Sequence, residues 1–138
     1  MRWIKTLLFI IRKHKGQKDK SGLPYFLHPL NVSIHCRGHD AKIAGLLHDV
    51  IEDTETDADE LVMVGYSKEI VEAVKLLTRV KGEPYQEYIM RVKENPLATE
   101  VKKNDLRHNM NLNRLKEISE KDVQRVRKYE MALKLLTE

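Results

Sequence analysis

Four ionisable side chains stand close together in the middle of the sequence: His48, Asp49, Glu52 and Asp53. In a regular helix, with its period of 3.6 residues, His48 stacks with Glu52 and Asp49 stacks with Asp53. Imidazole nitrogen and carboxylate oxygen together form a donor set suited to a divalent ion such as Mn²⁺, Fe²⁺ or Zn²⁺. The spacing therefore indicates a metal site, with an exposed acidic helix face and a half-buried histidine as the alternative.

Two further segments supply the residues that a metal site needs. His28 lies in a segment with several helix breakers, residues 16–29, and Asp105 lies in the polar run 104–111. With His48 and Asp49 they provide two imidazoles and two carboxylates. We therefore expect three separate segments of the chain to meet around one ion.

The order of these motifs resembles the HD superfamily of metal-dependent phosphohydrolases. Within that superfamily it resembles the (p)ppGpp hydrolases that are related to the bifunctional alarmone synthetase/hydrolases. The motifs are the pair His28-Pro29, the block His48-Asp49-Val50-Ile51-Glu52-Asp53 and the run Asp105-Leu106-Arg107-His108-Asn109-Met110. The resemblance runs from about residue 14 to residue 113, and it implies one all-α HD-type hydrolase domain over residues 1–138.

The resemblance also implies a role for each polar residue of the motifs. The predicted metal ligands are His28, His48, Asp49 and Asp105. The expected cofactor is one divalent ion, most often Mn²⁺ in that family, which would lower the pKa of a bound water. Glu52 and Asp53 are the predicted catalytic acids that serve the attacking water.

The predicted substrate-binding residues surround these motifs. Lys18, Lys20 and Arg107 are candidate clamps for phosphate charge. Ser21 is expected beside Lys20 at the edge of the nucleotide pocket. Asn109 is expected to shape that pocket, with a purely structural tie between helices as the alternative.

Two positions and one exchanged pair depart from the pattern of the alarmone hydrolases. The pair is Leu106-Arg107, which stands where those enzymes usually have Arg-Leu and so turns the arginine by about 100° around its helix. Asp19 stands directly before Lys20, where those enzymes usually carry an arginine against the guanine. A carboxylate cannot make that cation–π contact. Leu112 stands where a small hydroxyl residue is common. The resemblance is therefore complete for the metal chemistry and incomplete for guanine recognition.

We expect a metal-dependent phosphohydrolase that cleaves a phosphate ester or pyrophosphate bond of a nucleotide, with the 3′-pyrophosphate of (p)ppGpp as the first candidate. One alternative is an HD phosphohydrolase for another nucleotide, such as a nucleoside monophosphate or a reduced dinucleotide. A second alternative is a non-catalytic nucleotide-binding module. The presence of both the metal ligands and the water-activating acids disfavours that module.

Helices must position these residues, because helical periodicity dominates and no alternating run is long enough for a convincing strand. A helix over about 40–53 would bury one apolar stripe, formed by Ile43, Leu46, Leu47, Val50 and Ile51. A first helix up to about residue 15 has an apolar stripe of Trp3, Ile4, Leu7, Leu8 and Ile11. The remaining helices are expected at about 29–37, 57–64, 67–80, 84–94, 96–112 and 120–136.

Helix-start signals support several of these boundaries. Thr56 and Ser119, each followed three residues later by an aspartate, fit capping boxes, and Ser67 is a plain N-cap candidate. On the last predicted helix, one apolar face indicates either core packing or a subunit contact, so an oligomer through this helix is possible; its residues are Val126, Tyr129, Leu133 and Leu136.

The composition narrows the setting and the partners. The chain has 138 residues, of which 41% are apolar, so it is large enough for one core. Cys36 is the only cysteine, which excludes an internal disulfide and favours the cytoplasm. The longest apolar run near the start, residues 7–11, is too short for a membrane span.

The net charge of +4 conceals three blocks of opposite sign. Residues 1–48 and 73–138 are basic, whereas residues 49–72 carry nine acids and one lysine. A dense acidic block would repel a nucleic-acid backbone. We therefore expect a small nucleotide substrate, and neither nucleic acid nor a membrane, as the partner.

Overall fold

The computed structural model describes residues 2–111, 115 and 117–138. Within this part of the chain the regular structure is helical, which confirms the all-α prediction. The helices are α1 (Arg2–Lys13), α2 (Leu27–His35), α3 (His39–Leu47), α4 (Val50–Asp53), α5 (Ala58–Val64), α6 (Lys68–Leu77), α7 (Tyr85–Lys93), α8 (Pro96–Asn109) and α9 (Glu120–Thr137).

Local signals explain where several helices begin. Ser67 accepts a hydrogen bond from the Ile70 amide, and Ser119 forms the full capping box with Asp122, as predicted. The prediction for α5 was wrong by one residue, since Asp57 rather than Thr56 caps it. The Thr56 side chain instead pairs with that of Thr54.

Helix α3 lies at the centre of the fold and packs against α1, α2, α6 and α8. The stripe predicted for this region is confirmed, because Ile43, Leu46, Leu47 and Val50 are fully buried. Apolar burial of this kind contributes roughly 1.5–3 kcal/mol for each large side chain. The core therefore fixes the helix that leads into the His-Asp motif.

Helix α1 packs in a different orientation from the one predicted. Thr6 and Ile10 are its buried residues, whereas the side chains of Ile4 and Leu8 are 58% and 62% exposed. The Thr6 hydroxyl lies 2.7 Å from the hydroxyl of Tyr66. Thr6, whose hydroxyl is hydrogen-bonded, therefore faces the interior, where the apolar pattern had predicted Ile4 and Leu8.

The predicted continuous helix over 40–53 is interrupted. Helix α3 ends at Leu47, and α4 starts at Val50 after a turn at His48 and Asp49. At this turn Nδ1 of His48 lies 2.6 Å from the backbone oxygen of Gly45, so the imidazole bonds to a carbonyl near the end of α3. The interruption lets the adjacent side chains of His48 and Asp49 face the same point.

Gly45 allows α2 and α3 to approach closely. A Cβ atom at this position would lie 3.1 Å from Cα of Ser33 and 3.4 Å from Sγ of Cys36. The first of these contacts is with backbone, which cannot rotate away. The absence of a side chain at Gly45 therefore sets the spacing of the two helices that carry His28 and lead to His48.

Helix α9 closes the fold by packing against α7 and α8. Ala132 and Leu136 are buried, and Tyr129 and Leu133 pack against the same core. This supports core packing for the apolar face of the last helix, and a subunit contact through it stays a prediction. None of the described helices is long and apolar enough to cross a bilayer.

Candidate metal centre

Side chains from α2, the turn after α3, and α8 converge at one point. Nε2 of His28 lies 2.9 Å from Oδ1 of Asp105 and 3.8 Å from Oδ2 of Asp49. Nε2 of His48 lies 3.1 Å from Oδ2 of Asp49 and 3.5 Å from Oδ1 of Asp105. The structure thus brings together all four residues that were predicted as metal ligands.

The chemistry around His48 fits a cation. The Gly45 carbonyl can only accept, so Nδ1–H of His48 donates to it, and Nε2 carries a lone pair whenever the ring is neutral. This nitrogen is buried and has no hydrogen-bond partner among the described residues, although two carboxylate oxygens lie close to it. Imidazole nitrogens and carboxylate oxygens that converge in this way suit a divalent ion, and the atoms of His28, His48 and Asp49 lie within 4.8 Å of one another.

The charges of the site shift the pKa of His48 and of both aspartates. Burial alone would lower the pKa of His48, but Asp49 and Asp105 raise it well above the usual value. Burial would raise the pKa of Asp49, yet the neighbouring imidazole of His48 lowers it to about 2. A proton and a metal ion therefore compete for Nε2 of His48.

Asp105 is held from both sides by residues of its own helix. Its Oδ2 accepts a hydrogen bond from Nζ of Lys102 at 2.8 Å, and its Oδ1 accepts one from the Asn109 amide at 3.0 Å. Burial would raise the pKa of Asp105, but the charge of Lys102, followed by that of His48, lowers it well below the usual value. Asp105 thus stays ionised, with Oδ1 directed to the centre.

The orientation of His28 depends on His108. The two Nδ1 atoms lie 2.7 Å apart, and the rings stack with centroids 4.9 Å apart. For Nε2 of His28 to present a lone pair to an ion, its Nδ1–H must donate to Nδ1 of His108. His108 therefore acts beside the ligand set, as a partner of one of its members.

Tyr25 completes the surroundings of Asp49. Its hydroxyl donates to Oδ2 of Asp49 at 2.5 Å. Burial, followed by the charge of Asp49, raises the pKa of Tyr25, so the hydroxyl stays protonated. The His14 ring packs against the Tyr25 ring in a tilted arrangement, with centroids 5.2 Å apart, and its Nδ1 bonds to Gln17. His14 therefore lies next to the ligand set.

The two predicted catalytic acids lie on the exposed side of α4. Oε1 of Glu52 accepts a hydrogen bond from the Arg79 amide at 2.9 Å. Partial burial, then the charges of Asp49 and Glu52, raises the pKa of Asp53 to about 6. Because the helix is interrupted at the His-Asp pair, the expected columns of stacked side chains give way to a turn.

A cavity of about 270 Å³ opens beside His28. Its lining includes four of the predicted substrate-binding residues, Lys18, Lys20, Ser21 and Asn109. It also includes residues that the sequence analysis missed, among them Tyr25, Asn111, Arg125 and Tyr129. Arg125 lies on α9, far in the sequence from every metal ligand, and its ion pair is with Asp122 of the same helix. No sequence motif therefore connects it with the metal ligands. Lys102, in contrast, could have been found, because it lies one helical turn before Asp105.

Arg107, the remaining predicted phosphate clamp, does not line this cavity. Asp105 and Asn109 are four residues apart on α8 and share one face, whereas Arg107 is two residues from each. Its side chain is exposed and lines a different cavity. The helical phase thus turns Arg107 away from the cavity beside His28.

Asp19 has a structural task in the loop before α2. Its Oδ1 accepts hydrogen bonds from the amide and the hydroxyl of Ser21 and from the amide of Leu23. These bonds close a tight turn in which Lys18 pairs with Pro24. Asp19 therefore positions the lysines that border the cavity. The second departure from the family pattern, at Leu112, lies outside the described residues.

Comparison with known proteins relates the chain to nucleotide pyrophosphohydrolases. It is 32% identical over 109 residues to guanosine-3′,5′-bis(diphosphate) 3′-pyrophosphohydrolase of Aquifex aeolicus, which covers 70% of this chain and 16% of that protein. It is 34% identical over 113 residues to GTP pyrophosphokinase of Streptomyces coelicolor, which covers 72% of this chain and 13% of that protein. No family profile matches the chain.

A solved structure shows the same fold over nearly its whole length. It is described as a metazoan ortholog of SpoT that hydrolyzes ppGpp. The TM-score is 0.70 at 21% identity, and the match covers 98% of this chain and 93% of the other.

The helical fold and the His-Asp motif together define an HD-type domain. The chain belongs to the HD superfamily and is related within it to the guanosine-3′,5′-bis(diphosphate) 3′-pyrophosphohydrolases. It spans less than one-fifth of the length of the curated relatives named above.

Proposed function

We propose that the chain is a metal-dependent phosphohydrolase that removes the 3′-pyrophosphate of (p)ppGpp. The observation that carries this proposal is the convergence of His28, His48, Asp49 and Asp105 beside a cavity bordered by cations. The relatives named for this reaction support the choice of substrate. We also propose that residues 1–138 form a single hydrolase domain, that the metal is Mn²⁺ and that the protein acts in the cytoplasm.

The reaction adds one water across the bond between the 3′ oxygen and the pyrophosphate. For ppGpp the products are GDP and pyrophosphate. A divalent ion held by the four ligands would polarise a phosphoryl oxygen and activate water. Asp53, whose pKa is raised to about 6, is mostly ionised at neutral pH and basic enough to accept a proton from the attacking water. Glu52, fixed by the Arg79 amide, borders the same side of the site.

The residues of the cavity would bind the charged ends of the nucleotide. Lys18, Lys20 and Arg125 bring three cations to its walls, and Ser21 and Asn109 offer neutral hydrogen-bonding groups. Fixed cations stabilise the negative charge of phosphate groups before and during transfer. The side chain of Tyr129 adds an aromatic surface for a base.

Product analysis over a panel of nucleotides tests the proposal. Purified protein with saturating Mn²⁺ should release pyrophosphate from ppGpp and should lose this activity when the metal is chelated. Release of phosphate from a different nucleotide, with ppGpp left intact, would favour an HD hydrolase of other specificity. Asp19 is the observation that favours this alternative, because it places a carboxylate in the cavity lining beside Lys20, where the alarmone hydrolases usually carry an arginine. Nucleotide binding without turnover of any candidate would indicate a non-catalytic module.

A further inference from the structure

A second cavity lies on the other side of the His108 segment, outside the substrate cavity. It has a volume of about 280 Å³ and is lined by Asn31, His35, Asn104, Arg107, His108 and Asn111. All six side chains carry N–H groups, and none of the six is acidic or aliphatic. The Asn104 amide already donates to Glu100, and Nδ1–H of His35 donates to the Asn31 carbonyl, so Arg107 carries the argument for an anion. In a chain with 21 acidic residues, such a lining favours a ligand with negative charge and several acceptor oxygens.

Arg107 is the principal cation of this cavity. It makes no ion pair with another described residue, unlike Lys102 on the same helix, which pairs with Asp105. His35 is oriented by a hydrogen bond from Nδ1 to the Asn31 carbonyl at 2.8 Å, and its side chain is exposed. A guanidinium beside imidazoles and amides is the donor arrangement that recognises phosphate oxygens.

The cavity adjoins the metal centre through two residues. His108 lines it and also bonds to His28 through the 2.7 Å contact between their Nδ1 atoms. Asn111 lines both this cavity and the substrate cavity. A ligand bound here would therefore lie next to the hydrogen bond that orients His28.

We propose that this cavity is a binding site for a phosphate oxyanion. The anion is either a free ion, inorganic phosphate or pyrophosphate, or the phosphate group of a nucleotide, since all present the same acceptor oxygens. The site adjoins the cavity proposed for the substrate at Asn111 but is otherwise lined by different residues, and its existence does not depend on the proposed hydrolysis. Binding can therefore be measured on metal-free protein in which no reaction takes place.

The test follows the imidazole and side-chain amide signals of His35, His108 and Asn31 by NMR. Metal-free protein is titrated separately with inorganic phosphate, pyrophosphate and GMP. The signals should move in a saturable manner with at least one of these ligands. Arg107→Gln should weaken that binding about tenfold, because it removes a charge-assisted hydrogen bond. Lys103→Gln is the matched control, since it makes the same charge change on α8 outside the cavity, and it should alter the dissociation constant less than about twofold.

The possible results separate the sources of the anion and decide the proposal. Movement with phosphate or pyrophosphate identifies a free ion as the ligand, and movement with GMP alone identifies a nucleotide phosphate. Signals that do not move, or that move equally in Arg107→Gln, would overturn the proposal. The backbone amide signals of Lys20 and Ser21 are followed in the same spectra. Shifts confined to them would place the anion in the cavity beside His28 and would overturn the proposal as well. Failure of ppGpp hydrolysis would leave all of these outcomes unaffected.

Discussion

At the scale of single residues, His48 and Glu52 have different tasks although they are only four positions apart in the sequence. His48 faces the convergence point, whereas Glu52 bonds to the Arg79 amide. We expect Glu52→Gln to keep the metal, because the amide oxygen can still accept that bond, and to lose about 100-fold or more in turnover. His48→Ala should lose the metal itself. Metal content after dialysis and the rate of pyrophosphate release measure the two effects. Equal metal loss in both variants would make Glu52 a ligand.

Lys102 is the partly hidden counter-ion of Asp105. Its side chain is only 12% exposed, and Lys102→Met would leave Oδ2 of Asp105 unpaired in the interior. Breaking a buried pair in this way costs roughly 3–5 kcal/mol in the free energy of unfolding. We expect this decrease in the free energy of unfolding in the metal-free protein, and a partial recovery when Mn²⁺ supplies a new cation beside Asp105. Urea denaturation with and without Mn²⁺ measures both effects.

Lys103→Met is the control for that experiment, since it removes the same charge from the next position of α8. It should change the free energy of unfolding by less than about 1 kcal/mol. If Lys102→Met were as mild as this control, Asp105 would not depend on Lys102 for its charge balance.

The raised pKa of Asp53 should make the stability of the metal-free protein depend on pH. Its pKa is about 6 in the folded state against an ordinary 3.8, so the folded state binds the proton more tightly than the unfolded state does. The contribution to stability is present below the ordinary pKa and is lost as the pH rises through about 6. Asn does not ionise, so Asp53→Asn does not lose stability as the pH rises through about 6. The variant should therefore gain thermal stability relative to the wild type between about pH 4 and about pH 8, and a constant difference in Tm would contradict the shift.

At the scale of helices, Gly45 links packing to the metal centre. Gly45→Ala would place a methyl group 3.1 Å from the Ser33 backbone and force α2 away from α3. Crowding of this kind costs roughly 1–3 kcal/mol, which exceeds the gain of about 1 kcal/mol that alanine brings to a helix. We expect a lower Tm together with weaker metal binding, because His28 and His48 would separate. A more stable variant would show that the helices can adjust.

The helices themselves could be predicted from the sequence, whereas details of the site could not. Serine caps and apolar periodicity placed most boundaries within a few residues. The interruption at His48 was missed, because it depends on a side chain that bonds to the Gly45 carbonyl, which no periodicity records. Arg107 lines a different cavity from Lys18 and Lys20, because it lies two residues from Asp105 and from Asn109 on α8 and so faces another direction.

At the scale of the whole molecule, segments of like charge come together from distant parts of the chain. Lys18 and Lys20 belong to the first basic segment and Arg125 to the last, yet all three border the substrate cavity. Charge patterning predicted a phosphorylated ligand without showing which cations would bind it. The packing of α9 against α7 and α8 brings Arg125 to that position.

The tight seam between α2 and α3 contains Cys36, the single cysteine of the chain. Burial raises the pKa of its thiol to about 12, so alkylation requires the seam to open. Cys36 is therefore a natural kinetic probe for opening of the two helices that hold His28 and lead to His48. The rate of iodoacetamide labelling should fall when Mn²⁺ is added, since an ion shared by both histidines would keep the seam closed. Labelling at the same rate with and without the metal would show that the seam opens independently of the metal centre.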